Sequence, residues 1–265
     1  MSRFQVKPKH PLRLRDVDPS DTSAAPGNKE ETAEHTLALQ TRLGELQELL
    51  FAEHKHRVLV ILQGMDTSGK DGTLRKVLAE CSPQGLRVVS FKAPTEVELD
   101  HDFLWRVHHA VPVSGEMTFF NRSHYEDVLV VRVHSKKSAD FWAERFEQIN
   151  AFESMLARTG TTILKFFLHI SRDEQRERLQ TRVDDPTKRW KFQHGDLAER
   201  LLWDDYMTAY EDALNATSTK VAPWYVVPAD KKWFRNYVVC KTIVNELESL
   251  GMEYPNPDLG DVNFE

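Results

Sequence analysis

The stretch over 64–73 reads "GMDTSGKDGT". It contains a G-x-x-x-x-G-K loop from Gly64 to Lys70, but the next residue is Asp71, where such loops ordinarily place a Ser or Thr hydroxyl on the magnesium of a bound nucleotide. The run before it, "RVLVILQG" over 57–64, is β-branched and apolar and predicts a buried strand. "KDGTLRKVLAE" after it predicts a helix. Strand, glycine-rich loop and helix together give the match physical meaning. Gly64 and Gly69 let the backbone bend until its N–H groups converge on phosphate oxygens, with Thr67, Ser68 and Gly72 in the same cradle. The helix adds its positive dipole end, and Lys70 reaches a phosphate as a point charge.

Asp71 argues against an ordinary nucleoside-triphosphate loop, because a carboxylate beside phosphates repels them unless a cation intervenes. Asp66 lies in the same loop. Two carboxylates at a phosphate cradle suggest a magnesium site completed by phosphate oxygens. The alternatives are local: Asp66 capping turn N–H groups, and Asp71 as a first-turn acid favoured by the helix dipole. We favour metal binding for Asp66 and leave Asp71 open.

Outward from the loop, strands and helices alternate. Leu39, Leu43, Leu46 and Leu50 share one face of a helix over 30–51. Strands are expected over 86–92, 115–120, 161–170 and 223–229, and helices over 96–110, 138–160, 197–217 and 232–251. In the helix over 138–160, Trp142, Phe146, Ile149, Phe152 and Leu156 form the apolar stripe and Gly160 the stop. Ser171 and Glu174 read as a capping box opening a further helix. This order predicts an α/β fold with a mainly parallel five-stranded sheet between two helix layers. Residues 1–30 read as an extended arm, 31–255 as one domain, and 256–265 as a tail.

The chain has 265 residues, 40% hydrophobic and 29% charged, an ordinary globular balance. Its net charge of -6 argues against a general nucleic-acid binder, although local Lys and Arg can still gather a polyanion. Cys81 and Cys240 have no metal-ligand spacing and suggest no disulfide framework, as in a reduced cytoplasm. The first 20 residues lack a signal-peptide core, and no window is long and apolar enough for a membrane span.

Two later stretches, "FFNRSHYEDVLVVRVH" over 119–134 and "ILKFFLHISRDEQRERLQTRVDDPTKRWKF" over 163–192, together with the loop, resemble the polyphosphate kinase 2 family. The "FNRSHYEDVLVVRVH" version is similar to its class III branch, which works on both AMP and ADP. The resemblance covers about residues 10–255. It implies a P-loop kinase-like core with a helical lid, here over about 171–195. It also implies phosphoryl transfer from inorganic polyphosphate to nucleotides, with magnesium, or manganese in its place, and a homo-oligomer such as a tetramer. By this resemblance Asp66 and Lys70 are the loop's functional pair, Asp127 is a metal-binding carboxylate and Arg122 the phosphate-binding arginine. Asn121 stands where the class I pattern has an Asp, and Glu126 where it has an Asn, so acceptor preference does not carry over from class I.

Phosphoryl transfer needs in-line positioning and charge neutralisation more than covalent work by the protein. Lys70 and Arg122 suit the transferring group, and Asp66 and Asp127 suit magnesium. Arg122 can instead form a structural ion pair with Glu126 or Asp127. Helical spacing puts Arg178 and Arg182 on one face with Ser171 and Gln175. With Lys188 and Arg189 they read as a lid that clamps phosphates, Arg178 foremost, against the alternative of a solvated helix with i,i+4 pairs. Lys231, Lys232 and Arg235 extend that track or are surface charge. "HKH" over 54–56 reads as a helix-to-strand turn, and His108 and His109 as surface or packing residues. The competing functions are an ATP-dependent nucleoside monophosphate kinase and a non-catalytic polyphosphate or nucleotide sensor.

Overall fold

The structure, a computed structural model, describes residues 1–8, 10–260 and 264. Five strands form one all-parallel sheet: β1 Arg57–Gln63, β2 Leu86–Ser90, β3 Met117–Asn121, β4 Thr161–His169 and β5 Trp224–Pro228, in the order β2-β3-β1-β4-β5. The helices are α1 Lys29–Glu53, α2 Lys70–Val77, α3 Glu96–Leu99, α4 Trp105–His108, α5 Val130–Val133, α6 Ala139–Arg158, α7 Arg172–Asp184, α8 Gly195–Leu201, α9 Trp203–Thr217 and α10 Lys232–Ser249. α1 and α2 pack on α10, while α6 packs on β4 and α9. A strand covered on both faces must be apolar throughout, and β1 is: Val58 to Leu62 are all 0% exposed.

The expected apolar stripes are buried: Leu43, Leu46 and Leu50 on α1, and Trp142, Phe146, Ile149, Phe152 and Leu156 on α6. Two expected helices are each broken. The one over 96–110 becomes α3 and α4, because Asp102 Oδ1 accepts from the Leu104 N–H and starts a new turn. The one over 197–217 divides at Leu202, whose N–H tightens onto the Glu199 carbonyl. Ser171 caps α7 as expected, but Glu174 turns to Arg178 instead of closing the box. His54 is the left-handed residue ending α1 (φ 56°), as the turn reading required.

The arm lies along its own chain. Val6 N–H donates to the Trp224 carbonyl, Leu12 and Leu14 dock on Asn215 and Glu211 of α9, and Pro19 accepts from the Asp230 N–H. It covers the β5 edge, which would otherwise present an unpaired strand. The tail is irregular through 260, and its residues 261–263 and 265 lie outside the described residues. Among the described residues no helix is long and apolar enough to cross a membrane.

The strand order sets the site. From β1 the chain moves to one side for β2 and β3, then crosses to the other for β4 and β5. The crevice at the strand carboxyl ends beside β1 is where open parallel sheets bind ligands.

Candidate active site

The β1–α2 loop sits at that crevice, and its conformation is held from outside. Gln175 donates to the Asp66 carbonyl (3.3 Å), Arg178 to the carbonyls of Thr67 (2.9 Å) and Ser68 (3.0 Å), and Arg235 to Ser68 (3.2 Å). A trans peptide points its N–H opposite to its C=O. With those carbonyls drawn toward α7 and α10, the N–H groups of Thr67 and Gly69 face the other way. Gly69 has φ 99°, and a Cβ there would lie 2.0 Å from the Arg235 guanidinium, so only glycine fits. Thr67 is itself left-handed, at φ 65°. The Thr67 and Ser68 hydroxyls are buried with no partner among the described residues. Thr67 lines the cleft, and an orphaned donor there is what a phosphate oxygen would satisfy; Ser68 is fully buried and does not line it, unlike the cradle role expected of it.

Lys70 folds back on the loop, donating to the carbonyls of Gly64 (2.7 Å) and Met65 (3.3 Å). Burial, then the neighbouring Arg122, pushes its ammonium down to about 8. Arg122 follows β3 in a left-handed conformation, φ 64°. Such backbone strain clusters at functional sites. Its guanidinium reaches Asp66 (3.1 Å) and Glu126 (3.6 Å). Burial raises the Glu126 carboxyl above its usual value, against the pull of Arg122 and Lys70.

Asp127 is placed differently from the expectation. It shares the 3-10 turn His124–Val128 with Glu126, but its carboxylate pairs with Arg145 of α6 at 3.0 Å. The acid facing Arg122 and Asp66 is Glu126, and among the described residues no three His, Cys, Asp or Glu gather as a metal cluster.

Arg178 also departs from the clamp expected of it. The helical face is right, with Ser171, Gln175 and Arg178 turned inward. Yet the guanidinium is buried, and its donors go to Glu174 and to the carbonyls of Thr67, Ser68, Ala229 and Asp230. It props the loop. Arg189 donates to the Val183 carbonyl and does not line the cleft. Arg182 and Lys188 do line it, Arg182 held by the Lys191 carbonyl and Asp196, and Lys188 paired with Asp185. Asn121 and Asp71 line it as well and are bonded to each other.

The cleft holds about 1160 Å³. Ten Lys and Arg side chains line it: Lys70, Arg75, Lys92, Arg122, Arg178, Arg182, Lys188, Lys191, Lys232 and Arg235. Among the described residues Asp66 and Asp71 are the acids that line it, while Glu126, Glu174, Asp185 and Asp196 pair with Arg122, Arg178, Lys188 and Arg182 from outside the lining. In a chain of net charge -6, such a concentration of cation marks a polyanion site. Arg75 and Lys92 carry no individual signal in the sequence. Lys191 closes the basic stretch that reads as the lid, and Lys232 and Arg235 read either as an extension of that track or as surface charge.

A parallel α/β core with a phosphate loop and a cation-lined cleft defines a phosphate-binding protein of P-loop kinase-like architecture. The polyphosphate kinase 2 family profile matches residues 27–255, and the chain belongs to that family. It is 55% identical over 258 residues to an AMP/ADP-polyphosphate phosphotransferase of Meiothermus ruber, covering 97% of both chains. It is 48% identical over 226 residues to an ADP-polyphosphate phosphotransferase of Rhodopseudomonas palustris, covering 81% of this chain and 78% of that one. The crystal structure of polyphosphate kinase 2 from Arthrobacter aurescens superposes with a TM-score of 0.94 at 46% identity, covering 98% of this chain and 92% of the other.

Proposed function

We propose that this chain transfers phosphoryl groups from inorganic polyphosphate to AMP and ADP. The observation that carries the reading is the cleft, lined by ten Lys and Arg side chains and only two acids among the described residues; even with four of those cations paired to acids behind the wall, the excess suits a long chain of phosphates better than one nucleotide. The dual acceptor rests on the likeness to the Meiothermus relative.

In each transfer an acceptor phosphate oxygen attacks the terminal phosphorus of the polymer. A new P–O bond forms, and the bond to the shortened chain breaks with its electrons on that chain. The loop N–H groups and the Thr67 hydroxyl hold the phosphates in line. Lys70 leaves its own carbonyls to meet the transferring group, and Arg122 stabilises the charge on its equatorial oxygens. The acceptor oxygen is already ionised, so no strong base is needed.

The donor set fits magnesium in one respect. Magnesium takes one or two carboxylates and fills its other positions with phosphate oxygens and water, and Asp66 offers a carboxylate engaged through one oxygen by Arg122. Asp66 would hold the ion, with manganese able to substitute, and the ion would neutralise charge between donor and acceptor. Asp127 would join only by leaving Arg145. The segment beyond Arg178 would act as a lid that excludes water.

We further place the enzyme in the cytoplasm as a homo-oligomer, the free thiols of Cys81 and Cys240 supporting the first and the family resemblance the second. Asp66→Asn tests the site. Turnover should fall at least about a hundredfold, as for loss of a transition-state contact, while polyphosphate is still retained in a binding assay. Full turnover in that variant would overturn the assignment.

A further inference from the structure

Asp71 occupies the loop position where a hydroxyl is usual, and it stands between two parts of the cleft. Its Oδ1 accepts from Asn121 Nδ2 at 2.7 Å, at the carboxyl end of β3. Its Oδ2 lies 3.7 Å from Lys191 Nζ, on the 3-10 turn Arg189–Lys191 that overhangs the opening. One carboxylate therefore joins the phosphate loop, the strand carrying Asn121 and Arg122, and the overhanging turn.

Each cation around the turn has its own acid. Arg182 is paired with Asp196 and Lys188 with Asp185, and Lys191 is left to Asp71. Arg182 donates to the Lys191 carbonyl, so a movement of Lys191 is carried to α7. Trp190, between Arg189 and Lys191, is 75% exposed at the same opening, with Lys191 Nζ 5.0 Å from its ring centre. The first-turn alternative for Asp71 explains a charge near the α2 dipole, but not two partners on separate elements.

We propose that Asp71 is a positioning residue that couples the two substrates, a charged latch between the acceptor end of the cleft and the polyphosphate-binding turn. This rests on the polyphosphate reading above. With the cleft empty, Asp71 stands in for a phosphate and keeps Lys191 at the opening. An acceptor engaging Asn121 perturbs the Oδ1 bond and loosens the hold on Lys191, which then turns to the incoming chain. The interaction is reciprocal by thermodynamic linkage, so polyphosphate on Lys191 frees Asn121 for the acceptor.

The test is the initial-rate pattern with AMP and polyphosphate varied together, in wild type, Asp71→Asn, Lys191→Met and the double variant. The asparagine keeps an acceptor for Asn121 and removes only the charge facing Lys191. In wild type, saturating AMP should lower the polyphosphate KM by a factor of about two to five, the size that one exposed ion pair supplies. In Asp71→Asn that ratio should fall to about one, and Lys191→Met on that background should not change the ratio further. A merely structural Asp71 would alter kcat or stability and leave the ratio intact. A ratio of one in wild type, or an unchanged ratio in Asp71→Asn, overturns the proposal while the polyphosphate reading stands. Wild type inert with polyphosphate overturns both.

Discussion

Replacing Arg178 with Met separates a loop prop from a phosphate clamp. The change keeps much of the aliphatic stem and removes every donor. Four carbonyls lose a partner, those of Thr67, Ser68, Ala229 and Asp230, and Glu174 loses its ion pair. Each buried acceptor left unsatisfied costs about 1–3 kcal/mol. The full sum overstates the loss. Ser68 keeps Arg235, water can reach the cleft side of the loop, and one buried charge no longer has to be desolvated. Glu174, whose side chain keeps access to solvent, adds little, so about two unsatisfied carbonyls set the loss at about 3–5 kcal/mol. For a chain of this size that lowers Tm by about 10 °C. The assay is thermal unfolding without ligand, paired with turnover. The prop account expects both to fall, because the Thr67 and Ser68 peptides are free to turn over. A ligand-free Tm within about 1 °C of wild type, with polyphosphate affinity lost, would refute the reasoning and restore the clamp.

Two further outcomes follow from buried charge. Lys165→Met strands Glu153, whose carboxylate is otherwise shared by Lys165, His124 and Tyr125 in a fully buried network. Urea unfolding should show a loss of about 3–5 kcal/mol, partly recovered by adding Glu153→Met; no recovery would contradict the stranded-charge account. Lys70 has a folded pKa of about 8 against an ordinary 10.5, so the unfolded chain binds more protons between those values. Its contribution to stability is flat below about pH 8 and rises as pH climbs toward 10.5. An anion on Lys70 favours its charged form, so polyphosphate binding near pH 8.5 should take up protons, seen by calorimetry in buffers of different ionisation enthalpy. Uptake that persists unchanged in Lys70→Ala would contradict this.

The architecture was legible because its signals are local. β1, the loop and α2 announce themselves by composition, and the stripe of α6 by period. The breaks at 100–104 and at Leu202 were not, since each half keeps a helical pattern and a single turn decides the boundary. The site was legible by residue type but not by partner. Arg178 sits on the face that the spacing of α7 assigned, yet a guanidinium serves a phosphate or a ring of carbonyls equally well, and only the path of the loop decides. Glu126 and Asp127 are adjacent acids, and the twist of one 3-10 turn sends one to Arg122 and the other to Arg145. Arg235 comes from the far end of the chain, and no local pattern could place it at Ser68.

The central claim is tested most directly by supplying purified protein with magnesium, polyphosphate and either ADP or AMP, and following nucleotides by chromatography and ATP by luminescence. A Lys70→Ala protein made the same way is the control. The account predicts ATP from both acceptors in wild type and none above background in the variant. Phosphoryl transfer to AMP that appears only when ATP is the donor would contradict it.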